Sequence, residues 1–183
     1  MPDATAPLAR LGQVARDPRG YIERWRSAHP GRPVVGVLPM NFPREIAYAA
    51  GTLPVVVQDD QQPVTEGRSL LAEFYCGYTR NLADQAATGR LDGYDALFLA
   101  DHCIQLIGAA DVVRAVLPDT PVFFGMLISS MSDTGAPGKI TEMMGEFRAE
   151  FGSFTGHPVT GEALLFESAP PEDLSSLISI LRR

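Results

Sequence analysis

Four short apolar runs recur along this 183-residue chain, and stretches with helical spacing lie between them. The runs are VVGVL at 34–38, LPVVV at 53–57, DALFLA at 95–100 and PVFFGML at 121–127. They are continuous rather than alternating, rich in β-branched or aromatic residues, and too short for helices. That is the signature of strands covered on both faces. Strands that alternate with helices are joined by crossovers and pair in parallel, which gives an α/β layer fold. The expectation is a Rossmann-like parallel sheet of about four strands, flanked by helices, in a single domain. In such sheets ligands sit beyond the carboxyl ends of the strands. Three segments fall there: PMNFPRE after the first run, DHC after the third and ISSMSDTG after the fourth.

The connecting segments carry helix signals of their own. Asp17 is a candidate N-cap and Pro18 suits a first helical position, so a helix is predicted over 18–29, with Tyr21, Ile22 and Trp25 on one side. A second opens at Pro43 and ends at Gly51. DDQQPVTEGRS, 59–69, reads as a loop. The stretch 70–89 reads as helical over most of its length, with Gly77 as its weak point, and 105–117 as a helix stopped by Pro118. SSMSDTGAPG, 129–138, reads as a long loop. Ile140, Met143, Met144, Phe147 and Phe151 mark a helix over 139–156. Leu174, Leu177, Ile178 and Leu181 stripe a last one over 170–183. Residues 1–16 are small and polar and are expected to form a flexible arm, with 17–183 as the α/β domain.

Charge and composition exclude several classes. A net charge of −7 argues against nucleic acid or an anionic membrane as the main partner, since both call for clustered Lys and Arg. The opening MPDATAPLAR has no apolar core and is not read as a signal peptide. No run reaches the roughly 20 apolar residues of a membrane span. Two cysteines in a chain of this length make no disulfide framework. A cytoplasmic protein is the expectation.

The same two cysteines are the most informative candidates for chemistry. Cys103 follows a predicted strand, next to Asp101 and His102. Cys76 is flanked by Tyr75, Gly77 and Tyr78. Two readings stand at this point. They are small buried core residues, as free cysteines commonly are, or they are thiolates at a strand mouth suited to zinc or iron–sulfur. Two thiolates fill half of a tetrahedral site. His102 is either a proton carrier or a solvated loop residue. Glu45, in the first turn of the helix opening at Pro43, either complements the positive helix end or serves as a general base in an apolar pocket. No phosphate-binding loop, dinucleotide fingerprint or nucleophile elbow is present.

Several stretches are similar, in order and spacing, to the 2-hydroxyacyl-CoA dehydratase and benzoyl-CoA reductase subunits. GRPVVGVLPMNFPREIAYAAGTLPVVV resembles their opening strand, loop, P-x-E-[IL]-[IL]-x-A-A-G helix and L-P-V strand, matched here by Pro43, Glu45, Ile46, Ala49, Ala50, Gly51, Leu53, Pro54 and Val55. YCGYTRN looks like the first cysteine motif. DALFLADHCIQLIGAADVVRAVLPDTPVFF looks like the second, and FRAEFGSFTGHPVTGEAL like a later helix and turn. The resemblance covers roughly residues 30 to 165. It implies a [4Fe-4S] cluster with Cys76 and Cys103 among its ligands, and a CoA thioester reduced by one electron near Glu45. It also implies an ATP-hydrolysing activator protein as electron donor.

The resemblance has gaps. Family subunits are about twice as long, with a second α/β domain that supplies a third cysteine, and they usually place Asp after the second cysteine. Here Ile104 follows Cys103 and no third cysteine exists. The expectation is therefore a small or split component of an iron–sulfur dehydratase (a lyase) or acyl/aryl-CoA reductase. A partner subunit or a second copy would complete the ligand set, and an acyl-CoA-type molecule would be bound. The alternative is a non-catalytic binding or assembly module that kept the fold without the cluster. A zinc protein is a third reading.

Overall fold

The computed structural model describes residues 5–38, 42–101, 103–126 and 134–168. Its elements are α1 (Thr5–Arg16), α2 (Pro18–Ala28), β1 (Val34–Val37), α3 (Arg44–Ala49), β2 (Leu53–Val56), α4 (Gly67–Leu70), α5 (Gly77–Ala87), β3 (Ala96–Ala100), α6 (Ile104–Val116), β4 (Val122–Gly125), α7 (Ala136–Thr155) and α8 (Gly161–Ser168). The four strands form one sheet in the order β2-β1-β3-β4, and every pair is parallel. The α/β architecture expected from the four apolar runs is present.

Side chains alternate across the sheet with the strand period of two. Val35, Val37, Ala96, Phe98 and Ala100 point to one face, where they meet Ile46 and Ala47 of α3 and Phe147 and Phe151 of α7. Leu97 and Leu99 point to the other, where they meet Leu82, Ala83 and Ala86 of α5 and Leu106, Ala109, Ala110 and Val113 of α6. The first face is held by aromatic rings at edge-on or tilted angles, with centroids 4.9 Å apart for Phe98–Phe147 and 5.1 Å for Phe123–Phe151. Such pairs add about 0.5–1.5 kcal/mol beyond area burial. On the second face the small residues of α6 and α5 let the helices lie close to the leucines.

Helix α2 is fixed at the amino edge of the sheet. Asp17 caps it by accepting the Gly20 N–H at 2.9 Å. Arg26 reaches Asp95 at 2.8 Å and the Gly93 carbonyl at 2.9 Å, while Asp95 also accepts the Val34 N–H at 2.7 Å where β1 begins. Gly51 stops α3 with φ +75°, a left-handed conformation that suits glycine, as its place after the helix suggests.

Several boundaries differ from expectation. Residues 5–16, expected as an arm, form helix α1 with Leu8 and Leu11 exposed. The helix expected over 70–89 begins only at Gly77, because residues 71–76 turn to meet α6. A four-residue helix, α4, lies in the segment read as a loop. Helix α7 starts three residues earlier than 139, with Pro137 in its first turn. Helix α8 was not expected as a separate element. The predicted final helix at 170–183 and the first half of the loop at 129–138 lie outside the described residues.

Candidate functional site

Strands β1 and β3 lie side by side, and the chain winds outward from them in opposite directions to β2 and β4. That reversal lies beyond the carboxyl ends of β1 and β3, a rim that is the usual ligand position of an open α/β sheet. The cysteines sit on the α5–α6 side of this rim.

Beyond Ala100 the Asp101 N–H still bonds to the Gly125 carbonyl at 3.1 Å, so β3 remains tied to β4 up to the turn. Cys103 then takes an extended conformation as the N-cap of α6. Cys76 does the same for α5. Both are exposed free thiols. The reading of two buried core cysteines is thereby overturned: neither side chain enters the apolar clusters that fill the two faces of the sheet. The reason is positional, since an N-cap side chain points off the end of its helix rather than onto its packed stripe.

Three contacts bring the two helix starts together. The Cys76 N–H donates to Gln105 Oε1 at 2.7 Å, and Gln105 Nε2 donates to the Phe74 carbonyl at 3.4 Å. The Tyr75 ring leans on Gly108, where a Cβ would stand 2.5 Å from the phenol oxygen. Behind the rim α5 and α6 share one core. Partial burial raises the Cys76 thiol pKa, but the Thr79 hydroxyl and the backbone N–H groups of Thr79 and Tyr78 outweigh it and hold the thiol below its ordinary value. Cys76 Sγ lies 3.4 Å from Thr79 Oγ1. Around the thiols, Phe74 and Ile104 stand 77% and 81% exposed, an apolar border that nothing else in the chain covers among the described residues.

Most of YCGYTRN is structural support for this rim. The Tyr78 hydroxyl donates to the Val57 carbonyl at 2.9 Å; burial and then the Asp59 charge push its phenol upward. Asn81 brackets Asp60, accepting its N–H and donating to its carbonyl, both at 3.0 Å. Gln85 donates to the Gln58 carbonyl at 2.9 Å. Asp84, with no exposed surface, accepts the Thr65 and Gly67 N–H groups at 2.7 and 2.9 Å and pairs with Arg90. These polar residues pin the loop after β2 onto α5. Sequence reasoning missed them; the available signal was polar side chains one helical turn apart beside a cysteine.

Of the other candidates, Glu45 is exposed in the first turn of α3, on the opposite face of the sheet from α5 and α6, so the described residues build no apolar pocket around it. His102 lies outside the described residues. A hollow of about 310 Å³ lies on the α3–α7 face beside the end of β4, lined by Pro43, Phe98, Met126, Met143 and Phe147 among others. A larger one, about 430 Å³, lies at the opposite edge, remote from the cysteines. Its arginines are largely engaged, Arg26 with Asp95 and Arg90 with Asp60 and Asp84. Among the described residues no group of three or more His, Cys, Asp or Glu is placed to hold a metal ion. The donor chemistry suits iron–sulfur or another thiophilic metal, but the chain offers two thiolates where a cluster takes about four ligands. No described helix is long and apolar enough to cross a membrane.

Comparison with known proteins finds relatives among CoA dehydratase and reductase subunits. The chain is 24% identical over 143 residues to a benzoyl-CoA reductase subunit of Thauera aromatica, covering 77% of this chain and 37% of that protein. It is 25% identical over 166 residues to the (R)-2-hydroxyglutaryl-CoA dehydratase beta subunit of Acidaminococcus fermentans, covering 88% of this chain and 42% of that one. A third relative, the lactoyl-CoA dehydratase beta subunit of Anaerotignum propionicum, is 27% identical over 99 residues, 54% of this chain and 26% of that protein. The chain thus spans well under half the length of these relatives. Residues 39–167, which include both cysteines and the helices they cap, match the family described as 2-hydroxyglutaryl-CoA dehydratase, D-component, and the chain belongs to that family.

Proposed function

We propose that this chain is a small or split component of an iron–sulfur dehydratase or acyl/aryl-CoA reductase system in the cytoplasm, with residues 17–183 as its α/β domain. Cys76 and Cys103 supply two ligands of a [4Fe-4S] cluster, and a partner subunit or a second copy supplies the remainder. One observation carries the reading: two exposed thiols, each at a helix N-cap, are held at one rim of a parallel sheet by a hydrogen bond from the backbone of one to the helix of the other. When bound, such a cluster supplies one-electron chemistry and a Lewis-acidic iron. The chain's own part is to present thiolates, favoured at Cys76 by the surrounding donors, and to border them with Phe74 and Ile104 against water. The relatives' names support an acyl-CoA-type substrate, and the ATP-dependent activator is proposed on the resemblance alone. Glu45 and His102 are assigned proton handling.

The test is anaerobic purification or reconstitution with iron and sulfide, read by visible absorption and by metal and sulfide analysis. Colour that is lost in both Cys76→Ser and Cys103→Ser is the expected result. Metal without visible absorption would point to zinc instead. In an assembly that turns over substrate, Glu45→Gln should slow turnover without altering iron content, and unchanged turnover would remove that role from Glu45. The shortfall of two ligands favours one other reading, a non-catalytic assembly module. It predicts stoichiometric partner binding by a colourless protein.

A further inference from the structure

A two-cysteine site needs a fixed spacing between side chains that belong to different elements. Gln105 is placed to provide it. It lies in the first turn of α6, two residues after Cys103, and its side chain crosses to the segment ahead of α5. A primary amide carries a donor and an acceptor on one planar group. Here the acceptor takes the Cys76 N–H at 2.7 Å and the donor reaches the Phe74 carbonyl at 3.4 Å, so the chain is held on both sides of Tyr75. The first N–H groups at a helix start have no partner within the helix, so the Cys76 N–H is open to such a bond. The contact of Tyr75 with Gly108 adds a packed brace one turn further along α6.

We propose that Gln105 is the positioning residue of the Cys76–Cys103 pair: its amide sets where the first thiol stands relative to the second. The inference rests on the two cysteines acting as a pair, as the proposed function requires, but its test needs neither iron nor activity. The metal-free, reduced chain is treated with dibromobimane, which becomes fluorescent on alkylating two neighbouring thiols. Monobromobimane reports each thiol singly.

The wild-type chain should be bridged. Gln105→Met, similar in length but unable to form these hydrogen bonds, should slow bridging about five- to tenfold while single alkylation stays unchanged and the chain still melts cooperatively. Gln105→Glu keeps the acceptor but loses the donor to the Phe74 carbonyl, so its ratio of bridging to single alkylation should lie between those of Gln105→Met and the wild type. Gly108→Ala should slow bridging as well, by pushing Tyr75 away. Bridging of Gln105→Met at the wild-type rate, with the wild-type chain bridged, overturns the positioning role alone. Absence of bridging in the wild type overturns the role and the paired-cysteine reading together. A Gln105→Met chain that no longer melts cooperatively places Gln105 in the fold rather than the site, and overturns the proposal too.

Discussion

Asp84 shows how much one buried side chain organises. It has no exposed surface, yet it accepts two backbone N–H groups and the Thr65 hydroxyl and pairs with Arg90. Burial raises its carboxyl pKa, but these donors outweigh burial and leave it lowered. A carboxyl with a depressed folded pKa stabilises the fold above its unfolded value, and that stability is lost as pH falls through the folded one. Asp84→Asn is therefore expected to cost about 2–4 kcal/mol at neutral pH. The gap between variant and wild type should narrow as pH falls below the ordinary carboxylate range near 4. Urea unfolding of both proteins across that range checks this; a gap that stays constant would show the charge to be irrelevant. Nothing in the sequence pattern announced Asp84. Asn81, Asp84 and Gln85 look like the wet side of a helix, and they are buried because the loop after β2 lies on them and bonds its backbone groups to their side chains. The cysteines were readable, since a thiol just beyond an apolar run is out of place in a core.

Strands were easier to place than helix ends. Each of the four runs became a strand within a residue or two, because double-sided burial leaves little choice of composition. The start of α5 was misplaced since residues 71–76 have helical composition but spend their backbone elsewhere: Cys76 on Gln105, Tyr75 on the Ala72 carbonyl. Short helices such as α4 carry too few residues to show a period. Packing decides α4 instead, because a Cβ at Gly67 would meet the Arg80 carbonyl oxygen of α5, a backbone atom that cannot swing away. Gly67→Ala should lift α4 from α5 at a cost of about 1–3 kcal/mol. Hydrogen exchange ought to quicken across 58–70 before it does in the strands, and uniform exchange would argue against so local an effect.

Both cysteines cap helices at one rim of the sheet, and two thiolates are half of the four ligands a cluster usually takes. Any iron–sulfur absorption formed by this protein should therefore belong to a species heavier than one chain, either two copies or a copy with its partner. Native mass measurement of the coloured fraction tests this, and a coloured monomer would refute it. Two copies, each carrying a net charge of −7, repel at low ionic strength, so pairing should strengthen with added salt. The sequence showed the layers of the fold and not its assembly, since a partner's side chains would leave no trace in this one. Each cysteine also opens a helix, so the partial positive ends of two peptide dipoles lie at the same rim of an otherwise acidic molecule. A negative charge placed there meets a local field that favours it, although the protein as a whole repels it.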